Sequence, residues 1–224
     1  MTTVILLRHA HSVANEKGVL AGRTPGIMLS KKGATQAEDL IKRLGSLTFK
    51  EIRISPLERC YLTLEPWLAA QKISRKALIL DEGISEVDYG QWTGKKLTLL
   101  ALKKEWRVVQ KTPSKMVFPE GESLLDVQRR AKKSLLKSVE KSKGGVVLLV
   151  SHGDVIKAIV ADALNMELDK FQKIVIDPAS ITVLDYNKGD FRLLHLNDSS
   201  TNFEYLEKKS RSMKTLVGGG SGRT

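Results

Sequence analysis

The sequence predicts an α/β protein of three layers, a mostly parallel mixed sheet with helices on both faces. Three observations support it. Two continuous apolar runs, Val4-Ile5-Leu6-Leu7 and Val146-Val147-Leu148-Leu149-Val150, have the composition of strands buried on both faces, which requires helices above and below them. Strand-like runs alternate early in the chain with helical patterns, as in a parallel sheet with crossover helices. Near the end, Asn187-Lys188-Gly189-Asp190 is a turn signal suited to a hairpin, which makes the sheet mixed.

In chain order, periodicity predicts a strand at 3–8, a helix at 31–45, a strand at 51–54 and a helix at 57–71. A strand at 77–80, helices at 95–110 and 122–142, a strand at 146–150 and a helix at 154–165 follow. The hairpin strands close the order at 180–185 and 191–196. Residues 16–29, with Gly18, Gly22, Pro25 and Gly26, read as a loop after the first strand, and 82–94 as a loop carrying carboxylates.

At 224 residues the chain is long enough to bury a full core and is most simply one domain, taken as 1–197. Beyond it, 198–224 turns polar, basic and glycine-rich and is expected to be a flexible tail. That tail lacks the strand, lysine and helix of a phosphate loop. No apolar stretch approaches membrane-spanning length and no basic leader precedes the first strand, so a soluble, cytoplasmic protein with no membrane partner is expected. The single cysteine, Cys60, excludes a disulfide within the chain and reads as a small core residue. No His, Cys and Asp cluster shows metal-ligand spacing, so no metal is expected.

The formal charge of +12 is spread over pairs such as Lys31-Lys32, Lys95-Lys96, Arg129-Arg130 and Lys132-Lys133. Such a field draws anions generally: it either steers phosphorylated substrates or adheres weakly to nucleic acid. Without an aromatic-interleaved basic patch or zinc-finger spacing, nucleic acid is not the expected partner.

The two apolar runs each deliver polar groups at their carboxyl ends, Arg8-His9 in one case and Ser151-His152-Gly153 in the other. Ligand sites of such sheets gather there, so the two histidines are candidates for one cleft. A further arginine, Arg59, follows the strand at 51–54. Guanidinium forks match phosphate geometry, and two arginines beside two histidines describe a pocket for a phosphoryl group.

The stretches VILLRHAHSVAN at 4–15, SPLERCYLTLEP at 55–66, EGISEVDYGQWTG at 82–94, FPEGESL at 118–124 and VVLLVSHGDVIKAIV at 146–160 together resemble the histidine phosphatase superfamily, in its phosphoglycerate mutase-like branch. The resemblance implies the three-layer phosphoglycerate mutase-like fold for the catalytic domain and phosphoryl transfer through a phosphohistidine. His9 is then the nucleophile, kept neutral by neighbouring guanidinium charge, with its other ring nitrogen donating to a backbone carbonyl. Arg8, Arg59 and His152 surround the phosphoryl oxygens, with Asn15 as a neutral donor and Gly153 contributing its backbone N–H at a helix start. The family's acid lies a few residues before a Tyr/Phe-Gly pair, which matches Glu86; Glu82 and Asp88 are its competitors. Arg23, Lys95 and Lys96 are candidates for the outer, substrate-binding wall.

Two departures stand out: Ala10 replaces the glycine usual after the nucleophile, and His11 stands where glutamate or glutamine is usual. His11 is taken as a supporting residue and His195 as structural. The short segment at 87–120 resembles the phosphatase members. Hydrolysis of a small phosphomonoester, by a histidine acid-type phosphatase, is therefore the leading expectation. A phosphoglycerate mutase-like phosphomutase is second, and a non-catalytic phosphate-binding domain is the remote alternative. The expected partner is a small phosphorylated metabolite, with a homodimer left open. No cofactor is expected, except a bisphosphorylated primer for a mutase.

Overall fold

The computed structural model describes residues 1–207. Its regular elements are, in order, β1 (Thr2–Arg8), α1 (Val13–Glu16), α2 (Lys31–Leu44), β2 (Phe49–Ile54), α3 (Glu58–Ala70) and β3 (Ile79–Leu80). They continue with α4 (Leu97–Leu100), α5 (Trp106–Lys111), α6 (Leu124–Ser142), β4 (Gly145–Ser151), α7 (Gly153–Ala163), β5 (Ile181–Asn187) and β6 (Asp190–Asp198). The six strands form one sheet in the order β3-β2-β4-β1-β5-β6. β1, β2, β3 and β4 run parallel, and β5 and β6 are antiparallel additions at one edge. This is the expected mixed sheet.

Alternation along the central strands assigns each side chain to a layer. Ile5, Leu7, Leu148 and Val150 pack with Leu40 and Leu44 of α2 and with Leu64 and Trp67 of α3. Val4, Leu6, Val147 and Leu149 face the other way, onto Val127 and Leu135 of α6 and Val155 and Ile159 of α7. Burial on both faces explains why neither run could carry a polar residue until it reached its carboxyl end.

Register sets up the site. β1 and β4 pair residue for residue up to Arg8 opposite Ser151, so His9 and His152 leave the sheet side by side. The His9 amide still donates to the Ser151 carbonyl at 2.9 Å.

Three expectations need correction. The helix expected at 95–110 is two short helices, α4 and α5, linked by turns with i to i−3 hydrogen bonds such as Lys103 N to Leu100 O and Trp106 N to Lys103 O. Its leucines do not share one face: Leu100 is buried while Leu99 and Leu102 are exposed, so packing holds separate turns rather than one stripe. The strand at 77–80 shrinks to the two residues that reach β2, because Arg75–Ala77 forms a 3-10 turn. The domain boundary at 197 is too early: Phe203 and Leu206 join the core beside α2 and β5, and burying Phe203 completely stabilises the fold by about 2–3 kcal/mol. The rest of the expected tail, 208–224, lies outside the described residues.

Candidate active site

His9 is almost fully buried. Its Nδ1 lies 2.8 Å from the Ala10 carbonyl, so Nδ1 carries the hydrogen and donates. That leaves Nε2 with a bare lone pair, the form a nucleophile needs. Burial first, then the charges of Arg59 and Arg8, hold its pKa well below the usual histidine value. The expected guanidinium effect is present, but desolvation is the larger cause. Ala10 is buried and its backbone is not in the left-handed region, so the methyl that replaces glycine needs no special conformation.

Two guanidinium groups flank the ring. Arg8, the last residue of β1, donates from one NH to the Ile176 carbonyl at 2.5 Å. Arg59 sits in the first turn of α3, 1% exposed, and donates to the Gly22 carbonyl at 2.9 Å. The Nε of Arg8 and both Nε and one terminal nitrogen of Arg59 are buried with no hydrogen-bond partner among the described residues. Unsatisfied buried donors on charged groups are costly, so such a cluster points to an anion that completes it.

His152, at the end of β4, is completely buried and its ring centre lies 5.2 Å from that of His9. Its Nδ1 accepts from Arg59 at 3.2 Å, which leaves Nε2 as the donor to Ser55 Oγ at 2.8 Å. Burial and Arg59 push its pKa well down. Both ring nitrogens are thus engaged, and His152 is not among the residues that line the cavity. Through Nδ1 it holds Arg59 and faces Glu86, and one of its ring nitrogens lies within 4.8 Å of a ring nitrogen of His9. Gly153, which does line the cavity, starts α7; a Cβ there would come 3.2 Å from the Arg8 Cζ. Its lack of a side chain makes room for that guanidinium.

Glu86 reaches the site from the acidic loop. Its Oε2 lies 3.7 Å from Arg59 and 3.6 Å from His152 Nδ1, and Oε1 accepts from the Val87 amide at 3.0 Å. Burial outweighs Arg59 and raises its pKa above the usual carboxylate value, so it keeps a proton longer than an exposed glutamate. Glu82 is exposed, and neither it nor Asp88 lines the cavity. The Tyr-Gly pair has its own reason: Gly90 has φ +50°, and a Cβ there would meet the Pro119 carbonyl at 2.1 Å.

The cavity, about 320 Å³, is lined at its inner end by Arg8, His9, Ser12, Asn15, Arg59, Glu86 and Gly153. Asn15 commits its Oδ1 to the Ser12 amide and hydroxyl in a capping box that starts α1, so its side-chain NH2 is the group left to donate. Helix α1 is absent from the elements that periodicity predicts, although Ser12 three residues before Asn15 is a cap signal.

Arg23, Lys95 and Lys96 do not line the cavity, which corrects their assignment. Arg23 instead bonds the Glu86 carbonyl at 2.8 Å and the Glu122 carboxylate at 2.9 Å. Arg130 bonds the same two residues and the carbonyls of Gly83 and Ser85, so this cluster clamps the acidic loop. The outer wall consists of residues missed in the sequence: Tyr89, Asp154, Lys157 and Gln172, with Leu20, Leu97 and Val175. Asp154 and Lys157 follow His152 in the helix predicted from 154, and their i, i+3 spacing was the available signal. His11 bonds Ser30 and Gln36 at the start of α2, and His195 packs against Phe203 and bonds Tyr205; both are structural. Cys60 is buried beside His152, its Sγ 3.6 Å from Nε2, with its pKa pushed up to about 12 by burial.

His9, Glu86 and His152 each bring a ligand atom within 4.8 Å of the others, so the expectation that no such cluster exists does not hold. The Arg59 guanidinium lies against two of the three. A fixed positive charge there opposes a divalent cation and favours an anion.

Comparison with known proteins agrees with this geometry. The family model described as histidine phosphatase superfamily (branch 1) matches residues 4–199. Phosphoserine phosphatase 1 of Hydrogenobacter thermophilus is 31% identical over 202 residues, covering 88% of this chain and 92% of that protein. A 2,3-bisphosphoglycerate-dependent phosphoglycerate mutase of Thermoplasma acidophilum is 27% identical over 190 residues, covering 84% and 90%. Among solved structures, Bacillus stearothermophilus YhfR superposes with a TM-score of 0.82 at 27% identity, over 89% of this chain and 98% of that one.

Proposed function

The chain belongs to the histidine phosphatase superfamily, and we propose that it hydrolyses a small phosphomonoester through a phosphohistidine formed on His9. The observation that carries this reading is the set of unpartnered guanidinium donors of Arg8 and Arg59 around the bare Nε2 of His9. In the first step Nε2 attacks phosphorus, the bond from phosphorus to the ester oxygen breaks, and the proton of Glu86 passes to the leaving alkoxide. In the second, water attacks the phosphohistidine, Glu86 takes back a proton, and phosphate leaves with His9 neutral again. Arg8, Arg59, Asn15 and the Gly153 amide meet the charge on the phosphoryl oxygens. His152 holds Arg59 and faces the same pocket.

The mutase reading is second. A bisphosphorylated species needs a second anion site, and the outer wall offers Lys157, already 3.5 Å from Asp154. Hydrolysis is therefore preferred, with no cofactor and no primer. Among the described residues no helix is long and apolar enough to cross a membrane, and the cytoplasm, with its pool of phosphorylated metabolites, is the compartment that fits the reading.

The test is to incubate the native protein with p-nitrophenyl phosphate and with 3-phosphoglycerate, the latter with and without 2,3-bisphosphoglycerate as primer, measuring phosphate release, phosphoryl relocation and acid-labile phosphoprotein. Phosphate release with a phosphoprotein that decays in acid is expected. Neither product nor phosphoprotein between about pH 5 and 8 would sink the reading, and relocation exceeding release would make it a mutase.

A further inference from the structure

Residues 95–111, which hold α4 and α5, carry six basic residues against one acid, Glu105. None of these seven has an ion pair among the described residues, whereas Arg129, Lys132 and Lys141 on α6 are matched by Asp126, Asp162 and Glu51. Leu100 is buried and pins the segment to the core, yet Leu99 is 60% and Leu102 83% exposed. The Leu102 amide donates to the Leu99 carbonyl at 3.3 Å, and in such a turn side chains three apart stand one above the other. Lys96 precedes Leu99 by the same step, its carbonyl accepting from the Leu99 amide at 3.0 Å. A cation thus heads the row of two leucines, and Lys103 and Lys104 follow it. Gln172 donates to the Val109 carbonyl at 3.2 Å, which ties the segment to the turn before Val175, itself 58% exposed. Leu97 and Val175 both line the cavity, so this face borders the cavity mouth.

We propose that this face docks on an anionic lipid bilayer, with Leu99 and Leu102 entering the boundary between headgroups and acyl chains and the unpaired lysines meeting lipid anions. The combination selects the partner. Two neighbouring leucines left in water gain from hydrocarbon, and the free ammonium groups around them gain from a negatively charged surface. Nucleic acid would use the lysines and leave the leucines in water. The other basic row, Arg129, Lys133, Lys137 and Lys141 along α6, has no pair of exposed leucines, and two of its four charges are already matched. Docking of this kind needs no spanning helix. It therefore stands beside the lack of one among the described residues, and revises the expectation that no membrane takes part. A docked molecule has its cavity mouth beside the lipid headgroups. Docking does not depend on which reaction the cavity runs.

The experiment sediments the full chain with vesicles of phosphatidylcholine and with vesicles in which about one third of the lipid is phosphatidylserine, and reads the partition coefficient. Binding about tenfold or more stronger to the anionic vesicles is expected. Lys103→Gln with Lys104→Gln should weaken it by about tenfold or more, and Leu99→Ser with Leu102→Ser by a similar factor. Lys133→Gln with Lys137→Gln on α6 removes the same charge elsewhere and should change binding by less than about threefold, since that charge is screened from the docked face. Circular dichroism checks that each double variant is folded; should the leucine pair fail, Leu102→Ser alone, at the more exposed position, carries the test. No binding to either vesicle, or equal binding to both, would overturn the proposal. A loss on α6 as large as at Lys103 and Lys104 would do so too, because net charge alone would then explain it. Binding indifferent to the leucines would likewise overturn it, in favour of an acidic protein or nucleic acid as the partner.

Discussion

The two ends of the cavity are built in different ways. At the inner end, Arg8, His9, His152 and Gly153 leave neighbouring parallel strands whose register is fixed by a continuous ladder up to Arg8 and Ser151, and the side chains of Arg59 and His152 are almost wholly buried. At the outer end, Tyr89, Leu20 and Gln172 come from loops or short turns, and only Asp154 and Lys157 share an element with the core. A ladder places groups to within a fraction of a bond length, whereas loops tolerate change without disturbing what they surround. The contrast fits the proposed division, chemistry on the sheet and choice of substrate on the rim.

Removing His9 tests the inner end most severely. His9→Ala is expected to lower kcat for p-nitrophenyl phosphate by about 10³-fold or more and abolish the phosphoprotein, with an unchanged circular dichroism spectrum. Activity above about a hundredth of the native value would assign the nucleophile elsewhere.

Glu86 stands where the two ends meet, and its effect should depend on the ester. Glu86→Gln should cost about 10²–10⁴-fold for alkyl phosphates and far less for p-nitrophenyl phosphate, whose leaving group scarcely needs a proton. Equal losses on both would reassign the acid. The pH dependence follows from the two shifts. A lowered His9 pKa keeps the nucleophile neutral further into acid, and it is lost as pH falls through that value. A raised Glu86 pKa keeps the acid protonated further toward neutrality, and it is lost as pH rises through that value. Alkyl phosphates should therefore show a bell-shaped profile whose alkaline limb flattens in Glu86→Gln; an unchanged alkaline limb would tie it to another group.

Arg23 should give the smallest effect, because it reaches the chemistry only through the acidic loop and is itself partly exposed. Arg23→Met is expected to lower kcat for alkyl phosphates by a factor of about 3–10, less than a buried charged hydrogen bond would cost. A loss as large as that of Glu86→Gln would mean that Arg23 touches substrate after all.

The inner end was legible in the sequence because its signals are local. An apolar run that stops at Arg8-His9 states both the strand and what it delivers, whereas Glu86 was singled out from Glu82 and Asp88 only by the family resemblance, through the Tyr-Gly pair that follows it. What escaped depends on tertiary placement. Nothing in the run of residues around His152 says that its ring bonds both Arg59 and Ser55. Arg23 looked like a wall residue because loop arginines often are, and only the fold shows that Glu122 claims it. The helix expected at 95–110 failed for a related reason, since its leucines are divided between core and surface. Gln172, far along the chain from Lys157, could be joined to it only by folding.

Cys60 lies within van der Waals reach of the ring that holds Arg59, in a class of reaction that other enzymes run on a cysteine thiolate. With its pKa pushed up to about 12, this sulfur stays a protonated thiol, sealed from solvent. The thiolate is the species that oxidants and electrophiles attack. Among the described residues the inner end therefore offers oxidants no thiolate, and the nucleophile proposed there is an imidazole.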